Sequence, residues 1–214
     1  MTQPVETIAV GQTIPQVNFQ MKLDDGINTF STADYFSDCR VVLFVVPGAF
    51  TPTCSAKHLP GFVKHADKIK EAGIDKIACL AVNDAHVMRA WAEAGNAIGI
   101  VDMMADWHAE MSDALGLTRD MGPIMGRRAA RCAMVIDNGV VQSMFMEEPG
   151  AFEVSSAEHV LANLLQNNCL LAGNRFGSAA RQLVAAFVEF IAGMAFDPVP
   201  CDVMALHSLI KLFP

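Results

Sequence analysis

Charge is scarce in this sequence. Only 18% of its 214 residues are Asp, Glu, Lys or Arg, against 52% hydrophobic residues. That balance excludes intrinsic disorder and allows a large core, and the length suits one domain or one domain with an appendage. Basic residues are the rarer sign, and the formal net charge of −8 excludes nucleic acid and anionic membrane as the main partner. No C-x-x-C pair occurs among Cys39, Cys54, Cys79, Cys132, Cys169 and Cys201, and no histidine stands at zinc-site spacing from them, so neither a metal nor another cofactor is expected. Met1-Thr2-Gln3-Pro4-Val5-Glu6 offers no basic n-region and no apolar h-region, which leads to the expectation of a cytoplasmic chain with reduced thiols. The longest uncharged runs near the C-terminus are cut by Arg181 and Glu189, too short for a membrane span. Internal repeats and low-complexity tracts are also missing.

What is present begins with short apolar runs. Arg40-Val41-Val42-Leu43-Phe44-Val45-Val46, β-branched and ended by Pro47-Gly48, predicts a strand buried on both faces. Ile77–Val82 reads the same way, and a helix is predicted over Ala85–Ala94. Ile98–Met103 offers a weaker third strand, followed by a helix around His108–Leu115. Arg131–Ile136 and Val140–Phe145 flank Asp137-Asn138-Gly139 and predict an antiparallel hairpin. Ser155 and Ser156 then precede Glu158, with Val160, Leu161, Leu164 and Leu165 recurring at helical spacing. Together these elements predict an α/β domain over 1–167, a central mixed sheet flanked by helices. Composition shifts at Asn167-Asn168, and residues 168–214 form an apolar extension with its own predicted helix, Ala179–Phe196.

The chemistry concentrates in Pro47-Gly48-Ala49-Phe50-Thr51-Pro52-Thr53-Cys54. A buried strand stops at Pro47, the chain turns, and Thr51-Pro52 signals a helix, Thr being a good N-cap and Pro favoured at the first helical position. Cys54 then falls at the third helical position, in the turn whose N–H groups lack helical partners. The positive end of the helix dipole favours a thiolate there, and the thiolate is the nucleophile. A lone cysteine is ordinarily just a small buried residue. Strand, turn, cap and proline converging on one thiol reverse that balance.

Pro47, Thr51 and Cys54 spell Pro-x-x-x-Thr-x-x-Cys, which resembles the active-site signature of the peroxiredoxins. The longer run through His58-Leu59-Pro60-Gly61-Phe62 is similar to their type II, peroxiredoxin-5-like branch. Val82-Asn83-Asp84, Trp91, Arg131 ahead of Cys132–Ile136, and Glu147-Glu148-Pro149-Gly150 through Glu153-Val154-Ser155 extend the likeness over about residues 4–167. The resemblance implies a thioredoxin-like fold, reduction of hydroperoxides and a homodimer. It also implies roles: Cys54 as peroxidatic thiolate that becomes a sulfenic acid, Thr51 as hydrogen-bond partner of thiolate and peroxide, Pro47 as a shield against water, and Arg131 as the guanidinium that stabilises developing charge. Arg127 and Arg128 lie nearby, and only the resemblance selects Arg131. His58, one turn after Cys54, is read as a packing or structural histidine.

A sulfenic acid must be reduced before it oxidises further. Cys79 matches the resolving position of a plant and bacterial subset, yet it lies inside an apolar strand, where a thiol is inert and disulfide geometry demands Cα atoms within about 7 Å. Where another branch carries a late resolving cysteine, this sequence has Ser155 and Ser156. An external thiol is therefore the expected reductant, glutathione with glutaredoxin or else thioredoxin, with Cys79 as second choice. A general thiol–disulfide oxidoreductase would need Cys-x-x-Cys, whereas Ser55-Ala56-Lys57 follows Cys54. A peroxide sensor or holdase using the same thiol without turnover stays open. The extension is too short for the glutaredoxin domain of some relatives, and packing on the same subunit or across a dimer is preferred to a docking surface.

Overall fold

The computed structural model describes residues 6–175. The helix expected over Ala179–Phe196, and with it most of the 168–214 extension, lies outside them. Chain order is β1 (Asn18–Leu23), β2 (Gly26–Ser31), α1 (Thr32–Tyr35), β3 (Arg40–Val45), a π-helical turn (Cys54–His58), α2 (Leu59–Glu71), β4 (Lys76–Ala81), α3 (Ala85–Ala94) and β5 (Asp102–Ala105). There follow α4 (Glu110–Ala114), β6 (Thr118–Asp120), α5 (Gly122–Met125), β7 (Arg127–Ala129), β8 (Cys132–Asp137), β9 (Val140–Met146) and α6 (Ala157–Arg175). The folded unit that carries the sheet ends at Leu165.

Seven strands form one mixed sheet in the order β2-β1-β5-β4-β3-β8-β9, with β6 and β7 pairing separately. β3 runs parallel to β4 and antiparallel to β8, so the strand feeding Cys54 lies near the middle of the sheet. A central strand with both faces covered has to be apolar throughout, and β3 is: Val42, Phe44 and Val46 join one core, Val41, Leu43 and Val45 the other. The first core lies under α2, α3 and α6, with Leu59, Phe62, Met88, Trp91, Val160 and Leu164. The second gathers Phe19, Tyr35, Phe36, Met111 and Leu115. Burying one such large side chain contributes about 1.5–3 kcal/mol. This is the thioredoxin-like α/β arrangement expected.

Local signals account for most boundaries. Asp84 caps α3 by accepting from His86 N and Val87 N at 2.9 and 3.0 Å. Asn138 and Gly139 take φ of 46° and 76°, the two positive angles that a tight β8–β9 hairpin needs. The third strand begins four residues later than expected, because Asn96 and Gly99 adopt positive φ and the amides of Ile100 and Val101 both turn back to Ala97 O. Ile98–Val101 is therefore a turn, and only Asp102–Ala105 pairs with β4. The β1–β2 hairpin has no counterpart in the elements read from sequence.

Candidate active site

The β3–α2 corner is built as its residues dictate. β3 stops before Pro47, the amide of Ala49 donates to Asn83 Oδ1 at 2.9 Å, and Ser55 N donates to Thr51 O at 3.0 Å. Pro52 and Thr53 are already helical, so Cys54 is the third helical residue. Thr51 differs from expectation in one respect. Its hydroxyl donates to Gly48 O at 2.9 Å, closing the turn, whereas a capping side chain would accept from an amide. Phe50, between the two, is exposed and has φ of 59°, a left-handed conformation costing about 1–2 kcal/mol for a residue with a Cβ.

Cys54 opens the π-helical turn, in which Leu59 N reaches back five residues to Cys54 O. Such single π turns recur at functional sites. The thiol has no exposed surface, and Trp91 Nε1 donates to the neighbouring Ser55 Oγ at 3.0 Å. Arg131, one residue ahead of β8, reaches it from the adjacent strand: its Nη1 lies 3.5 Å from Cys54 Sγ and 3.0 Å from His58 Nδ1. Geometry thus selects the same arginine as the resemblance does. Arg127 pairs with Asp113, and Arg128 donates to Met125 O and Val82 O.

His58 is the residue whose part the sequence did not reveal. It is fully buried, its ring centroid 5.0 Å from those of Phe44 and Phe152. Its Nε2 lies 3.0 Å from Ser155 O. A guanidinium only donates and a carbonyl only accepts, so Nε2 carries the hydrogen and Nδ1 presents its lone pair to Arg131. Burial first, and the Arg131 charge second, lower its pKa to about 3. The imidazole is neutral at physiological pH.

Behind His58 stands Glu147. Its Oε1 accepts from Glu153 N at 2.7 Å and from Ser155 N and Ser155 Oγ, both at 2.8 Å. Burial pushes this carboxyl up, but those hydrogen bonds and the Arg131 charge outweigh it and hold it below its ordinary range. The sequence places His58 one turn after Cys54 and puts it, with Glu147 and Ser155, inside the stretches that carry the family likeness, but none of these signals shows that the three are joined by hydrogen bonds.

Cys79 sits on β4 opposite Phe44, in the same core as Cys54, without exposed surface. Burial chiefly, and then Cys54, drive its thiol well above the ordinary range. Cys39, Cys54, Cys79 and Cys132 are all free.

The Redoxin family model matches residues 9–161. Peroxiredoxin-2E-2, chloroplastic, of Oryza sativa subsp. japonica is 44% identical over 169 residues, 75% of this chain and 74% of that protein. Reduced Prx3 of Vibrio vulnificus in complex with hydrogen peroxide superposes with a TM-score of 0.72 at 47% identity, covering 74% of this chain and 99% of that one. Peroxiredoxin 5 of Alvinella pompejana gives a TM-score of 0.66 at 32% identity, covering 74% and 99%. With a thiol at a helix start and a guanidinium on it, in a fold and sequence shared with these proteins, the chain belongs to the redoxin family as a type II, peroxiredoxin-5-like peroxiredoxin, a thiol-dependent peroxidase.

Proposed function

We propose that Cys54 is the peroxidatic residue, that hydrogen peroxide and alkyl hydroperoxides are its substrates, and that glutaredoxin with glutathione, or thioredoxin, recycles it. The observation that carries this reading is the 3.5 Å approach of Arg131 Nη1 to Cys54 Sγ. The thiolate attacks the proximal oxygen; the S–O bond forms as O–O breaks, giving a sulfenic acid and, after one proton, water or an alcohol. Arg131 supports the charge gathering on the leaving oxygen, next to a sulfur without exposed surface, where such a donor is worth most. Thr51 gives its hydrogen to Gly48 O, which leaves its oxygen lone pairs for the peroxide O–H. Pro47, at the end of the strand that leads into the corner, is the proposed shield of the thiolate against water.

An external thiol then attacks the sulfenic acid, releasing water and leaving a mixed disulfide, which a second thiol reduces. Burial of Cys79 in β4 supports this route over an internal disulfide. Because Cys54 has no exposed surface, a protein thiol reaches it only after the corner opens. A homodimer is the proposed assembly, and exposed Phe50 beside the site supports it.

Thiol mapping by mass spectrometry after one equivalent of peroxide tests the first step, with oxygen expected on Cys54 alone. For the second step, Cys79→Ser should keep its peroxidase turnover with glutaredoxin and glutathione, while Cys54→Ser has none. Loss of turnover in Cys79→Ser would establish Cys79 as resolving thiol and overturn the external route.

A further inference from the structure

We infer that Glu147 is a positioning residue of the peroxidase site, holding Arg131 on the Cys54 sulfur through Ser155 and His58. The inference rests on the proposed role of Cys54 and Arg131.

Four contacts make the line continuous. Arg131 Nη1 touches both Cys54 Sγ, at 3.5 Å, and His58 Nδ1, at 3.0 Å. His58 Nε2 donates to Ser155 O at 3.0 Å. Ser155 gives both its N–H and its hydroxyl to Glu147 Oε1 at 2.8 Å. Glu147 closes the loop through its own amide, which donates to Arg131 O at 3.1 Å. One carboxylate oxygen thus gathers three donors from the 147–155 segment, including Glu153 N. Those bonds fix the Ser155 peptide, and the peptide fixes where its carbonyl points. The carbonyl in turn sets the plane of an imidazole whose other polar contact is Arg131 itself, with Phe44, Phe62 and Phe152 around the ring.

The consequence is directional. A guanidinium on a flexible three-carbon stem has many rotamers, and a displacement of about 1 Å from the reacting atoms costs about 100-fold in rate. His58 removes that freedom only while Ser155 O holds it. Ser155 stands in the segment where a related branch carries a cysteine; here its oxygens and amide serve as a bracket.

The test is a double-mutant cycle on the full chain, reading the second-order rate of Cys54 oxidation by hydrogen peroxide. Glu147→Ala is expected to lower that rate about 10- to 100-fold, with Glu147→Gln, which keeps one acceptor oxygen, recovering part of the loss. In an Arg131→Met background Glu147→Ala should add less than about twofold, because the group it positions is gone. Iodoacetamide alkylation of Cys54 is the readout that separates positioning from a loosened fold: loosening exposes the buried thiol and raises that rate, whereas positioning predicts no rise, and a rise in Glu147→Ala overturns the inference. Where Glu147→Ala does not fold, Ser155→Ala, which loses only the hydroxyl, takes its place with an expected loss of about threefold. An equal loss with and without Arg131, or an unchanged rate in Ser155→Ala and Glu147→Ala alike, overturns the inference. Should Arg131→Met itself leave the peroxide rate intact, the site reading fails first, which is a separable result.

Discussion

Cys54 and Cys132 are both thiols without exposed surface, and both adjoin Arg131, one in space and one in the chain. Cys132 is its covalent neighbour, yet the strand sends the side chain to the opposite face, into the core of Leu43, Met134 and Ile136. Burial there drives the thiol up to about 12, which leaves it inert. Cys54 is 77 residues from Arg131 and lies in hydrogen-bond reach of it. With Cys54 as the proposed reacting sulfur, depth of burial does not distinguish it from the silent one. The difference is whether donors are aimed at it, and in this fold the aim comes from a strand end and a helix start meeting at one corner.

The comparison can be broken at three points. Arg131→Met removes the aimed donor and should lower the rate of Cys54 oxidation by about 10²–10³-fold in stopped-flow measurements; an unchanged rate would mean that the helix start alone activates the sulfur. Next comes pH. His58 is neutral in the folded protein, with its pKa lowered to about 3 against 6.5 ordinarily. The unfolded chain thus binds a proton that the folded chain refuses, and stability is highest above pH 6.5 and falls as pH drops towards 3. By pH 5 the loss should be about 2 kcal/mol. Glu147, held low, works in the same sense further down, its contribution fading as pH falls below the carboxylate range. Urea unfolding midpoints of wild type and His58→Gln between pH 7 and 5 check this, and equal slopes for the two would refute it. The smallest effect belongs to the silent thiol: Cys132→Ala should cost about 1 kcal/mol of stability with peroxidase turnover like wild type, and a fall in turnover would give Cys132 a role that the comparison denies it.

What could be read from sequence follows how locally each feature is encoded. The corner was legible because Pro47, Thr51 and Pro52 act on backbone angles within a few residues of Cys54. The hairpin was legible from Asn138-Gly139 for the same reason. Arg131 was reached only through family likeness, since pattern alone ranks it with Arg127 and Arg128. His58 was placed one turn from Cys54, but its bond to Ser155, 97 residues on, is set by how α2 and the 147–155 segment pack, which no local pattern encodes. The apolar run at Ile98 forms a turn instead of a strand because Asn96 and Gly99 take positive φ, which apolarity alone does not signal. The β1–β2 hairpin carries only a short sequence signal, Phe19 and Met21 alternating with less buried neighbours beside a polar turn.

One consequence follows from the two ring nitrogens of His58. Seen from its neighbours, the imidazole is a polarised plug between sockets of opposite kind, a donor-only cation on one side and an acceptor-only carbonyl on the other. Asparagine and glutamine are the other uncharged side chains that pair an acceptor with a nitrogen donor in one flat group, and only glutamine approaches the length. Lysine brings no acceptor and glutamate no donor when ionised. The position therefore tolerates a vocabulary of about two letters, and that restriction is set by the partners' chemistry, with no contact to substrate required.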